Sequence, residues 1–183
     1  MSLGNLYWKA MSVLWYTRRF GSMGRRSWIR KPLLLRYPKQ IHIGRHCMIR
    51  DGARLEVVNR PNEKPGHLWI GDNVTIEQGA HIVASCEVHL DDEVAIAPRV
   101  TIVDATHPVG TAADGNRARQ LAPGTSYVRL EKRVFIGANV VILPNVTIGR
   151  NSIVGANSVV ARDIPPNSIA VGAPARVIKS FDS

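Results

Sequence analysis

"IGANVVILPNVTIGRNSIVGANSVV", residues 136–160, repeats one pattern every six residues. Ile136, Ile142, Ile148, Val154 and Val160 are all aliphatic, and four residues after each stands Val140, Val146, Ser152, Ser158 or Ile164. Working outward, the same six-residue spacing is found at Leu130, at Leu90, Ile96 and Ile102, at Ile70, Ile76 and Ile82, and at Ile43, Ile49 and Leu55. The position four residues later is small or apolar throughout, except at Asn59, where the repeat breaks. Gly follows the aliphatic residue in "IGRHCM", "IGDNVT", "IGANVV", "IGRNSI" and "VGANSV".

A six-residue period does not match 3.6, so a helix would scatter these residues around its circumference. Short strands joined by tight turns bring each aliphatic side chain to the same place in successive coils about 4.8 Å apart. Gly and Asn tolerate the backbone that such turns need. The pattern therefore predicts an all-β solenoid, a parallel β-helix, with the aliphatic residue and its small companion facing inward. Cys47 and Cys86 fall on the small inward position and are read as packing residues.

The repeat is interrupted at residues 60–67, "RPNEKPGH", and at 108–127, "PVGTAADGNRARQLAPGTSY". A solenoid has no internal room for insertions, so both must loop outward, and the extended loop at 108–127 is too long for a simple connection. It opens on "IVDATHPVG", residues 102–110, which places His107 where a rigid coil meets a long loop. Imidazole is the natural general base near neutral pH. Asp104 is either its orienting partner or a turn-former. His89 lies eighteen residues earlier, one full coil on this spacing, so it either stacks beneath His107 or is a solvated turn residue.

These motifs, above all "VHLDDEVAIAPRVTIVDATHP" and residues 136–178, resemble the left-handed β-helix acyltransferases of the hexapeptide-repeat family, and within it the maltose/galactoside-type and polysaccharide O-acetyltransferases. The resemblance covers roughly residues 41–179 and implies a left-handed, three-sided prism of about five coils. It implies that His107 is the catalytic base of direct transfer from acetyl-CoA, and that no metal is required. It carries donor contacts onto Ala138, Ala156, Ala161, Arg162, Arg176 and Lys179, with Ala at 138 and 161 where relatives often have Ser or Thr. It also implies a homotrimer, and a carbohydrate or lipid-linked sugar as acceptor, in surface polysaccharide or lipopolysaccharide biosynthesis.

The net charge of +10 comes almost wholly from residues 1–40, which hold nine Lys or Arg and no Asp or Glu. Residues 1–40 are thus expected to form a basic, amphipathic, partly helical arm, and residues 41–183 the β-helix domain. "NLYWKAMSVLWY", residues 5–16, followed by Arg18 and Arg19, reads as peripheral membrane contact or as a cap on the first coil. No apolar run of 18 or more residues is present and the N-terminus lacks signal-peptide order, so a cytoplasmic protein is expected, peripheral at the inner membrane face if the arm binds lipid. Two other classes compete with this reading. A zinc hydratase of the γ-carbonic-anhydrase type needs three converging His, with His81, His89 and His107 available, but lacks paired His close in sequence. A nucleic-acid binder explains the charge of the arm but neither the His nor the loop, so no nucleic-acid partner is expected.

Overall fold

In the computed structural model, the described residues are 3–59, 64–109, 115–117 and 120–181. They form three parallel sheets that the chain visits in rotation, a left-handed β-helix. The first sheet contains Ser22–Met23, Ile41–Ile43, His67–Ile70, Glu87–Leu90, Tyr127–Leu130 and Val146–Ile148. The second contains Trp28–Ile29, Met48–Ile49, Thr75–Ile76, Ala95–Ile96, Phe135–Ile136, Ile153–Val154 and Ser168–Val171, and ends with Arg176–Ser180 running antiparallel. The third contains Leu34–Arg36, Arg54–Val57, His81–Ala84, Thr101–Val103, Val141–Ile142 and Val159–Val160.

The aliphatic positions stack in register inside the prism. Leu90 pairs with Ile70 and Leu130, and Ile102 with Ile82 and Ile142, and all six are buried. Each such side chain contributes about 1.5–3 kcal/mol of burial, so the column of rungs is a continuous core without large aromatics. Three residues after the aliphatic position the backbone turns with positive φ, at Asn73, Glu93, Arg99, Asn139, Asn145, Asn151 and Asn157, among others. Asn is favoured there because its short polar side chain offsets the left-handed penalty. The corner Asn residues also ladder: Asn139 Nδ2 donates to Asn157 Oδ1 at 3.0 Å, and Asn151 Nδ2 to Asn167 Oδ1 at 3.1 Å.

The solenoid starts earlier than the division at residue 40. Ser22–Met23, Trp28–Ile29 and Leu34–Arg36 pair with the strands of the next coil at Ile41–Ile43, Met48–Ile49 and Arg54–Val57, adding a coil to the five expected from residue 41 onward. Met23, Ile29 and Leu35 keep the six-residue phase. The short 3-10 turn at Pro38–Gln40 then adds two residues before Ile43, and this shift hides the coil from a strict periodic reading.

Residues Leu3–Arg19 form a helix, π-type at Ser12–Tyr16, that covers the open edge of this first coil. In a parallel ladder alternate residues point their amides to opposite neighbours. Trp28 and Arg30 donate to the next coil, which leaves the Ile29 amide facing outward. Ser12 is buried and its Oγ accepts from Ile29 N at 2.9 Å, while Tyr16 and Phe20 complete the core below. The arm therefore caps the solenoid.

Candidate active site

The corner leading from the third sheet back to the first is where the chain departs from strict repetition. At the coil ending in Val103, Asp104 is fully buried. Its Oδ1 accepts from Ser85 N at 2.5 Å and its Oδ2 from Cys86 N at 2.7 Å. Both oxygens thus tie the corner to the coil below. Asp104 holds the turn from which His107 departs, and does not bond the imidazole itself.

His107 is exposed, and its Nδ1 lies 2.6 Å from the carbonyl oxygen of Gln120. A carbonyl only accepts, so Nδ1 carries the hydrogen and the neutral ring presents the Nε2 lone pair. Ala122 N donates to Thr106 O at 2.8 Å, which secures the returning limb of the loop beside the His. Residues 110–114 and 118–119 of the expected 108–127 loop lie outside the described residues.

His89 is not beneath His107. It stands on the outer side of the first sheet, with Trp69 and Arg129 as its register neighbours and Glu87 Oε2 3.3 Å from its Nε2. The reason is arithmetic in the chain: His81 pairs with Thr101, so this coil takes twenty residues and an eighteen-residue spacing falls out of register.

The same returning limb walls a cavity of about 930 Å³ on the first sheet, lined by Lys64, His67, Trp69, Glu87, Gly124 and Tyr127 among others. His42 stacks on Trp69 with ring centroids 3.9 Å apart. Burial first, and the neighbouring His67 second, hold the His42 pKa below its ordinary value, which favours the neutral ring. Sequence reading missed Gln120 and this cavity. The Gln120 contact uses a backbone carbonyl, which no residue type signals; Trp69 is visible only as the outward neighbour of Ile70.

The donor positions divide between two corners and a strand. Ala138 and Ala156 lie one above the other at the corner between the second and third sheets, Asn157 N donating to Ala138 O at 2.9 Å. Ala161 and Arg162 follow Val159–Val160 on the third sheet, and are exposed. Arg176 and Lys179 lie on the exposed C-terminal strand, Lys179 opposite Ile169. One chain therefore separates His107 from Ala138 and Ala156 by a whole sheet. The zinc reading finds no support in the ligand set. His81 is on the third sheet, His89 on the first and His107 at the corner between them, and among the described residues no three His, Cys, Asp or Glu side chains converge.

Residues 127–162 match the model of the bacterial transferase hexapeptide family (six repeats). The chain is 34% identical over 163 residues to galactoside O-acetyltransferase of Escherichia coli, covering 89% of this chain and 65% of that protein, so it spans less than two thirds of that relative's length. It is 32% identical over 159 residues to the putative lipopolysaccharide biosynthesis O-acetyl transferase WbbJ of the same organism, covering 84% of this chain and 79% of the relative. Among solved structures, a mutant of AntD, an N-acyltransferase from Bacillus cereus in complex with dTDP-4-amino-4,6-dideoxyglucose and Coenzyme A, superposes with a TM-score of 0.73 at 26% identity, over 91% of this chain and 87% of that one. The hexad core and these likenesses together establish that the chain belongs to the hexapeptide-repeat family of acetyl-CoA-dependent acyltransferases.

Proposed function

We propose that the protein transfers acetyl from acetyl-CoA to a sugar hydroxyl in the assembly of a surface polysaccharide or lipopolysaccharide, with His107 as general base. The observation that carries this reading is the Nδ1–H bond to the Gln120 carbonyl, which leaves Nε2 as the free basic nitrogen on an exposed, rigidly mounted ring. Nε2 takes the proton of the acceptor hydroxyl as its oxygen attacks the thioester carbonyl. The tetrahedral intermediate collapses with cleavage of the C–S bond, and the imidazolium returns the proton to the departing CoA sulfur.

The donor lies along Ala138, Ala156 and Ala161, where small side chains leave room for the pantetheine arm, with Arg162, Arg176 and Lys179 toward the phosphates. The separation of corners supports a homotrimer, in which His107 of one chain meets the Ala138 and Ala156 corner of a neighbouring subunit. The acceptor is a carbohydrate, and the names of the galactoside and lipopolysaccharide relatives support that class. The basic arm attaches the protein peripherally to the inner membrane face.

Release of CoA from acetyl-CoA, measured with wild type and His107→Ala over a panel of glycosides and extracted glycolipids, tests the mechanism. A loss of about 10²–10⁴ in kcat with CoA binding retained is expected. Equal turnover in both proteins would return His107 to an ordinary loop.

A further inference from the structure

The N-terminal helix is apolar on two opposite sides, and the solenoid occupies only one of them. The inner side, Ser12 and Tyr16, closes the first coil. On the outer side Leu6, Tyr7, Val13, Leu14 and Trp15 are 53–65% exposed, five large apolar side chains within ten residues. Leu6, Tyr7, Val13 and Leu14 recur at helical spacing, with exposed Ala10 between them, and so form one stripe. Isolated surface hydrophobics need no explanation, but a stripe of this kind marks a contact surface.

Charge identifies the occupant. Arg18, Arg19, Arg25 and Arg26 are exposed on this helix and the adjoining first coil, Arg19 lying over the Trp15 ring at 5.4 Å, and residues 1–40 contain no acidic residue. A second copy of the chain would set this cationic end against itself. An anionic bilayer satisfies both the stripe and the charge, because Trp, Tyr and Leu lodge at the headgroup boundary while Arg pairs with lipid phosphates.

We propose that the capped end of the prism docks on an anionic membrane with the outer helix stripe in the headgroup–acyl boundary and the solenoid standing end-on. His107 then projects at a set height. It leaves the third sheet after Thr101–Val103, the fourth strand from the capped end, about 14 Å beyond the first rung at the usual strand spacing. Where the transferase reading above holds, acetylation is confined to membrane-anchored glycans whose reacting hydroxyl stands at that height plus the thickness of the capping helix, about 10 Å more, from the lipid. The docking itself does not depend on that reading.

Co-sedimentation with phosphatidylcholine vesicles, with and without phosphatidylglycerol, tests the surface. Binding only to the anionic vesicles is expected, weakened by salt, and reduced about tenfold or more in a Val13→Asp, Leu14→Asp double variant whose thermal unfolding matches wild type. Quenching of tryptophan fluorescence by brominated lipid tests the orientation. Quenching should fall in Trp15→Phe, with Trp8 and Trp28 leaving a remainder, and persist undiminished in Trp69→Phe, because Trp69 stands on the flank of the prism at the third coil. Failure to bind anionic vesicles, binding indifferent to the double variant, or quenching that depends on Trp69 would each overturn the proposal. Self-association in solution that the double variant abolishes without altering vesicle binding would overturn it too. His107→Ala should bind vesicles like wild type while losing transfer, so failure of the docking and failure of the chemistry are read separately.

Discussion

The coil from Arg129 to Thr147 and the coil from His89 to Arg129 turn the same corner of the same prism in opposite ways. The first pair is in register after eighteen residues, and the passage from third to first sheet is a tight turn at Asn145 with φ 61°. The second pair is in register only after forty, and that passage holds buried Asp104, exposed His107 and the long excursion. Yet Leu90 and Leu130 still stack as neighbours inside. Insertions on the outside leave the ladder undisturbed, so repetition supplies rigidity and its local failure carries the proposed site. This is the division of labour between scaffold and loop that favours catalysis.

The largest effect on the scaffold is expected from Ile142→Ala in the regular part. It should cost about 2–5 kcal/mol in urea unfolding because a fully buried rung leaves a cavity, while kcat per folded molecule stays unchanged. Asp104→Ala at the irregular corner should cost about 1.5–3 kcal/mol and also lower kcat, since two charge-assisted backbone bonds that hold the His107 turn are lost. If both variants behaved alike in turnover, the contrast between the two coils would fail.

Glu56 sharpens the comparison through pH. Burial alone pushes its carboxyl up, but hydrogen bonds from Arg54 and Arg36 outweigh burial and hold its pKa below the ordinary value. A depressed folded pKa contributes stability above the unfolded pKa, and that contribution is lost as pH falls through the folded value. Glu56→Gln should therefore be less stable than wild type by about 1 kcal/mol at neutral pH, Arg36 being largely solvated. The difference should close as pH falls below about 4. The smallest effect, about 1 kcal/mol or less, is expected for Asn139→Ala, which keeps a Cβ in a left-handed corner at φ 59° but loses the Asn side-chain bonds; Asn139→Gly should recover part of it in thermal unfolding.

The architecture was legible because each hexad states its own inward residue, and the fifteen of them run in unbroken blocks of three or six. The coil at residues 22–36 was not, because the two extra residues at the Pro38–Gln40 turn shift it out of phase. His89 was misplaced for the same reason, the coil before His107 being twenty residues long. Its residue type and position singled out His107, but its tautomer rests on a backbone carbonyl thirteen residues away, which composition cannot reveal. The N-terminal helix shows the same limit. Its moment is blurred in the sequence because both sides are apolar, and only packing against Ile29 shows which side is spent and which remains free. The sequence by itself determined the parallel β-solenoid and its inward residues, since these follow from local periodicity, and it marked the corner of the proposed site as a place where that periodicity fails. Tertiary structure alone decided the coil lengths, the hydrogen-bond partners of Asp104 and His107 and the uncovered face of the helix, since each depends on which distant backbone groups come into contact.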